Sequence, residues 1–231
     1  MDFFDLVKKR RSIRKFTDEK VPEEVIEKSL KAALLAANSS NLQPWEFYWV
    51  KDLEKKNKLI SYCLGQPAAE TAQELVVCVA RPDNWKLNTQ TMLDMFKEKE
   101  LPQAVSTYYT KIVPLAYNQG FLGLFGLIKK ISTFFIGLRR PIPREPVSFN
   151  DMKIWAQKST ALACQTLMLS LRAFGYDSCP MEGIDSRRIK KLLKLPKKAQ
   201  ICMVISAGKR AKNGVYGKRY RLPKERFIKI V

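Results

Sequence analysis

Lys9-Arg10-Arg11-Ser12-Ile13-Arg14-Lys15-Phe16 sets five cations and one hydroxyl in eight residues, with no acid among them. In an extended segment residues two apart share a face, so Arg10, Ser12 and Arg14 can converge on one small anion. Guanidinium forks donate in pairs to phosphate oxygens, which makes a phosphate the natural guest. The competing reading is a solvated charged face, the usual fate of such a run.

Three other segments ask for the same ligand. Ser39-Ser40-Asn41-Leu42-Gln43-Pro44-Trp45 puts hydroxyls and amides on a turn between a helix and a strand, where they can hydrogen-bond a polar heterocycle or a polyol chain. The same residue types also make a plain helix cap and turn. In Pro180-Met181-Glu182-Gly183-Ile184-Asp185, Gly183 permits a close backbone approach, and exposed amides can donate to a ring nitrogen and carbonyl. Its alternative is a strand-to-helix loop capped by Asp185. In Lys218-Arg219-Tyr220-Arg221-Leu222-Pro223, Arg219 and Arg221 share a face if the segment is extended. With Arg10 and Arg14 they can surround a phosphate of about −1.5 to −2 charge. A solvated tail is the alternative there.

Working outward, residues 2–9 read as a short helix and 22–37 as an amphipathic one, with Pro22 at a first helical position. Strands are expected at 45–50, 74–80, 177–181, 201–206 and 227–231. Helices are expected at 52–63, 84–98, 102–112 and 185–195. A long helix starts at Asn150 or Asp151, runs to Phe174 and stops at Gly175. Helices and strands do not alternate cleanly, so the class is α+β. Gly208 to Gly214 follows a strand but lacks the glycine patterns of a P-loop or a dinucleotide fold.

The chain has 231 residues, 46% of them hydrophobic, which suits one domain over residues 1–231. Its 42 Lys+Arg against 22 Asp+Glu give a net charge of +20, more than one phosphate accounts for. Such an excess favours anionic surfaces. The absence of histidine excludes Ser-His-Asp and Cys-His catalysis and histidine-ligated zinc. Five cysteines without a C-x-x-C pair suit reduced thiols. Acids rather than cations follow Met1, so no secretory signal is expected. The expected location is the cytoplasm.

Together, the Arg-Ser-x-Arg loop, the Ser-Ser-Asn-Leu-Gln-Pro-Trp turn and the Pro-x-Glu-Gly-x-Asp turn resemble, in order, the motifs of the FMN-dependent nitroreductase family. The resemblance implies a central mixed, mostly antiparallel sheet flanked by helices, in an intertwined homodimer with FMN at the interface. It assigns Arg10, Arg11, Ser12, Arg14, Arg219 and Arg221 to the phosphate and ribityl chain. Asn38, Ser39 and Ser40 match the turn that the partner contributes, with Asn41 and Gln43 close by. Pro180, Met181, Glu182 and Gly183 match the segment at the flavin edge, and Gln66 a polar residue near the pyrimidine ring. Several family members carry a glutamine where Ser159 aligns here, and Ser159 reads equally as a helix-surface residue.

The activity implied is a ping-pong cycle: NADH or NADPH delivers hydride to FMN, and a nitroaromatic or quinone takes the electrons. The cofactor carries that chemistry, so no side-chain acid or base and no metal is assigned. Dehalogenation, desaturation and flavin breakdown use the same cofactor motifs. A non-catalytic basic module is the other class. Aromatics do interleave with cations at residues 216–221, but no nucleic-acid motif accompanies them.

One segment lies outside the resemblance, an apolar and basic insertion at about 113–147. Within it, residues 120–138 hold two apolar runs around Lys129-Lys130. A spanning helix would place both lysines near mid-bilayer, at about 2.5–3.5 kcal/mol each. Three readings remain: a lid beside the cofactor, a packed helical hairpin, and an interfacial segment with Lys129, Lys130, Arg139 and Arg140 near anionic headgroups on the inner face of a membrane.

Overall fold

The structure is a computed structural model that describes residues 2–97 and 102–231. Its elements follow the expected order. They are α1 (Phe3–Lys9), α2 (Glu23–Leu34), β1 (Trp45–Trp49), α3 (Leu53–Tyr62), α4 (Pro67–Glu70), β2 (Glu74–Ala80), α5 (Trp85–Lys97), α6 (Gln103–Thr107) and α7 (Val113–Tyr117). Then come α8 (Leu124–Ile136), α9 (Phe149–Ala173), β3 (Asp177–Met181), α10 (Ser186–Leu192) and β4 (Gln200–Gly208). The expected end of α5 at residue 98 lies outside the described residues.

The strands form one sheet in the order β1-β2-β4-β3, each neighbour antiparallel. β2 is central and buried on both faces, and its side chains divide with the period of two that a strand dictates. Leu75, Val77 and Val79 join a cluster with α3 and α10, while Val76 and Cys78 join one with α2 and α9. α9 contributes Ala163, Cys164, Leu167, Met168 and Leu171 to the second cluster, one helical stripe. A bulge opposite Cys78 and Val79 skips Cys202, which places Cys202 and Met203 on the same side. A third cluster, with Tyr109, Val113, Tyr117 and Trp155, lies beneath α5 to α7.

Several expected caps are in place. The Asp2, Asp52 and Asp185 carboxylates accept from the first turns of α1, α3 and α10. Gly175, at φ +85°, ends α9 in the left-handed region that favours glycine. Several expectations need correction. Ser148, not Asn150 or Asp151, caps α9, because its hydroxyl accepts from the Asp151 N–H. α10 stops at Leu192, since Lys194 turns to φ 52° and a helix cannot continue through that conformation. Residues 227–231 form no strand: they are exposed and meet no edge to pair with.

The expected helix at 102–112 instead continues past residue 112 as α6, a wide π turn over Tyr108–Ile112, and α7. Pro114 follows that turn. A proline ring lacks an N–H and clashes with the carbonyl four residues back, which widens the helix there. Nine residues are two and a half α-turns and would face Tyr108 away from Tyr117. The wide turn re-phases the helix, so both phenols reach Ser40, at 2.7 and 2.8 Å.

Candidate functional site

The Arg10–Phe16 loop is held on two sides. Ser12 bridges Ser178 at the start of β3, and the Ile13 N–H donates to the Ser178 carbonyl (3.1 Å). On its other side it meets the exit from β4: Arg14 N–H donates to Gly214 O (2.7 Å), Thr17 N–H to Lys209 O (2.8 Å), and Ala211 N–H to Lys15 O (3.1 Å). The segment from Gly208 to Gly214 therefore acts as a clamp. A Cβ on Gly214 would lie 2.6 Å from Lys15 O and 3.0 Å from Ala211 O, both backbone. Gly214→Ala is expected to cost about 1–3 kcal/mol by overpacking. Gly217, with nothing within 4 Å, supplies the control: Gly217→Ala should stay within about 0.5 kcal/mol in the same thermal denaturation.

Past the clamp, the tail turns back over the loop. Arg11 Nη2 donates to Gly217 O (2.8 Å), and Arg219 Nη2 donates to the Arg10 carbonyl. The result is an open hollow of about 390 Å³ lined by Arg10, Arg11, Ser12 and Arg14 on one wall and residues 215–221 on the other. Six of its lining residues are cations and none is an acid. Burial, then the neighbouring Arg221 and Arg11, hold the Arg10 guanidinium below the usual arginine range. Arg219 is shifted the same way by desolvation and by Arg221, Arg11 and Arg10. Cys179, which accepts from Arg14 Nη1 (3.2 Å), offers no countercharge, because burial pushes its thiol up against the pull of Arg14 and Arg10. Repelling cations gathered without a carboxylate fit an anion with several oxygens, such as a phosphate monoester.

β3 leads from Ser178, beside that hollow, to the turn at 182–185. Gln66 Nε2 donates to Gly183 O (2.8 Å) and Cys63 O (2.9 Å), and Asp185 N–H donates to Tyr62 O (2.8 Å). These bonds fix Glu182 and Gly183, both exposed, against the corner between α3 and α4. A Cβ on Gly183 would meet only Gln66 Nε2, at 3.8 Å, so the space before it is open to a flat group. Pro180 is half-buried, and the Met181 side chain packs into the core, which leaves Met181 only its backbone to offer.

Asn38, Ser39 and Ser40 stand elsewhere. They line a hollow of about 710 Å³ with Tyr108, Tyr117, Trp155 and Ser159. Ser159 is buried, so it is not a helix-surface residue. Ser39 Oγ shares a hydrogen bond with Tyr117 Oη (2.9 Å), and Tyr109 Oη donates to Ser40 O (3.0 Å). Asn38 Oδ1 accepts from Gln43 N–H (2.8 Å), and the Gln43 amide contacts Asn41 Oδ1 at 3.5 Å. Ser40, Asn41 and Gln43 all have positive φ, at 59°, 49° and 45°. Three such residues in four positions store strain that the tyrosine hydroxyls help to hold, a pattern that concentrates at functional sites.

Within one chain, then, the arginine loop, the basic tail and the 180–183 segment are joined through β3, and the serine turn borders a different hollow. Sequence reasoning missed the clamp glycine Gly214 and the tyrosine pair. Nothing in the local sequence signals the first. The second was legible only through the effect of Pro114 on helix phase.

The sequence profile of the nitroreductase family matches residues 7–209. Protein DrgA of Synechocystis is 29% identical over 96% of this chain and 91% of its own length. A protein of Thermus thermophilus named NADH dehydrogenase is 27% identical, over 95% and 91%. Among solved structures, a protein of Exiguobacterium sibiricum in complex with FMN superposes with a TM-score of 0.74 at 24% identity, covering 100% of this chain and 98% of that one.

Proposed function

The chain belongs to the nitroreductase family, whose members use FMN with NAD(P)H as electron donor, and from that premise we propose that it passes hydride equivalents from NADH or NADPH through FMN to nitroaromatic or quinone acceptors in a ping-pong cycle. The carrying observation is the acid-free hollow in which Arg10, Arg11, Arg14, Arg219 and Arg221 converge beside Ser12. In this reading Arg10, Arg14 and the tail arginines hold the FMN phosphate, and Ser12 offers its hydroxyl to the phosphate or polyol. Glu182 and Gly183 present backbone to the ring edge, steadied by Gln66.

Bound FMN would supply the two-electron chemistry, which a chain without histidine can leave to it. The residues' part is then binding, orientation and field. The serine turn at Asn38–Gln43 completes the same site from the partner of a homodimer. That assignment is supported by the separation of its hollow from the arginine hollow in one chain.

The test is direct. Purified protein mixed with FMN and passed through a desalting column should stay yellow, and should oxidise NADH or NADPH when a quinone is added. A protein that leaves the column colourless and consumes neither nucleotide would overturn the reading. Sedimentation velocity should give twice the chain mass of 26.6 kDa, and a monomer that still turns over would remove the partner's serine turn from the site.

A further inference from the structure

α8 is inside out. Its inward face centres on Gly126, Lys129 and Thr133, three and four residues apart, with Phe125 and Ile136 half-buried beside them. Lys129 Nζ donates to Ala116 O (2.7 Å) and Pro146 O (2.9 Å), and Arg144 Nη1 donates to Thr133 O (2.6 Å). A Cβ on Gly126 would lie 2.5 Å from Val147 O, so the helix rests on backbone there. Lys129 therefore anchors the helix to the protein and does not reach outward as the sequence suggested. Nor does α8 pack into the core of the described chain, since Gly126 is its one buried residue.

The opposite face carries most of the large apolar side chains. Leu127, Ile128, Ile131, Phe134 and Phe135 are 52–62% exposed, and Phe121 and Leu122 ahead of the helix are 80% exposed. A soluble helix turns such residues inward and its lysines outward. No single helix among the described residues is long and apolar enough to cross a membrane. Charge identifies what covers this face. Residues 101–144 contain six cations and no acid. Lys130, Arg139 and Arg140 are exposed beside the apolar residues. Packing this face on its own copy about a two-fold axis would set those cations against one another.

We propose that α8 docks on the interface of an anionic lipid bilayer, with its phenylalanines and leucines among the acyl chains and Lys130, Arg139 and Arg140 at the headgroups. An apolar face bordered by cations, on a helix too short to span, suits burial at the headgroup boundary. Lys129, fixed on two carbonyls, keeps the helix presented as a rigid ridge.

Vesicle sedimentation of the full chain, with FMN in excess so that the arginine hollow is occupied, tests this. The protein should pellet with vesicles of mixed phosphatidylcholine and phosphatidylglycerol at low salt and stay in solution with phosphatidylcholine alone. Phe134→Ser/Phe135→Ser and Lys130→Glu/Arg139→Glu/Arg140→Glu alter only exposed side chains, and each should weaken binding at least tenfold with thermal stability unchanged. Wild-type protein that remains in the supernatant with the mixed vesicles overturns the proposal. So does a phenylalanine double variant that pellets like wild type, which would assign the binding to net charge elsewhere. A double variant that turns a dimer into a monomer also overturns it, because the face is then a subunit contact.

Discussion

Arg10→Ala/Arg221→Ala protein should bind FMN about 10²–10³-fold more weakly than wild type and yet melt, without ligand, at the same temperature or higher. A hydrogen bond to a charged group is worth about 1.5–3 kcal/mol, and each 1.4 kcal/mol is about tenfold in affinity. Losing one fork from each wall of this open hollow, at the lower half of that range for each, therefore removes about two to three decades. The opposite sign in stability follows from the shifted guanidinium of Arg10, which burial and the like charges of Arg221 and Arg11 disfavour in the free protein. Among the described residues neither side chain holds a carboxylate, so removing them relieves repulsion. Residues that merely solvate a surface would change neither quantity. Riboflavin separates the alternatives further. It lacks the phosphate, so wild type and variant should bind it within about threefold of each other, a difference of less than about 1 kcal/mol. FMN affinity should also fall with added salt in wild type and lose part of that dependence in the variant, because screening acts on the charges removed. Fluorescence quenching of the flavin reads the affinities, and differential scanning calorimetry the melting temperature. An unchanged FMN affinity would take the phosphate out of this hollow.

The arginine loop was legible because its chemistry is local: eight residues name an anion without any knowledge of the fold. The strand at 74–80 was legible for the same reason, since the β-branched run of Val76, Val77 and Val79 carries its own signal. What the sequence did not disclose are features set by contacts distant along the chain. Alternation placed Arg10, Ser12 and Arg14 on a shared face and left Arg11 to the family resemblance; what neither gave is the bond of its guanidinium to the Gly217 carbonyl across 206 positions. Gly214 looked like a loop glycine. Its role depends on how near Lys15 O lies, a distance no local pattern encodes. The strand expected at 227–231 rested on apolar content, yet a strand also needs a partner, and residues 227–231 reach neither edge of the sheet in the described chain. α8 shows the converse. Its composition gave two apolar runs around a lysine pair, and only the structure revealed a helix whose Lys129 faces in while Phe134 and Phe135 face out. The serine turn divides the same way, with its polar composition readable beforehand and its left-handed backbone and tyrosine partners not.

Asp177→Ala should lower stability by about 3–5 kcal/mol, the loss expected when one member of a buried ion pair is removed. For a chain of this size that corresponds to a fall in melting temperature of about 6–20 °C. Asp177 opens β3 with its side chain only 2% exposed, and it is gripped from two directions. Arg210, leaving β4, donates from Nε to Oδ2 (2.7 Å) and from Nη2 to Oδ1 (2.6 Å). Arg172, in the last turn of α9, donates from Nη1 to Oδ1 (2.9 Å). The hydrogen bond to Asp177 raises Arg210 above its ordinary value. Without the carboxylate, Arg172 is left 18% exposed with no countercharge, and its Nε already lacks an acceptor. Asp177→Asn keeps one carbonyl oxygen for the Arg210 fork and should lose about half as much, which separates the charge from the hydrogen bonds. The consequence reaches the site, because Ser178, the next residue, holds Ser12 and Ile13 in place. Below its melting transition Asp177→Ala should therefore also show weaker FMN binding, although Asp177 does not line the arginine hollow. Adding FMN should recover part of the lost melting temperature, since a ligand that binds only the folded chain stabilises it in proportion to the logarithm of its concentration. A variant that melts like wild type would show that Arg172 and Arg210 are solvated independently and that the junction of α9, β3 and β4 rests on apolar packing alone.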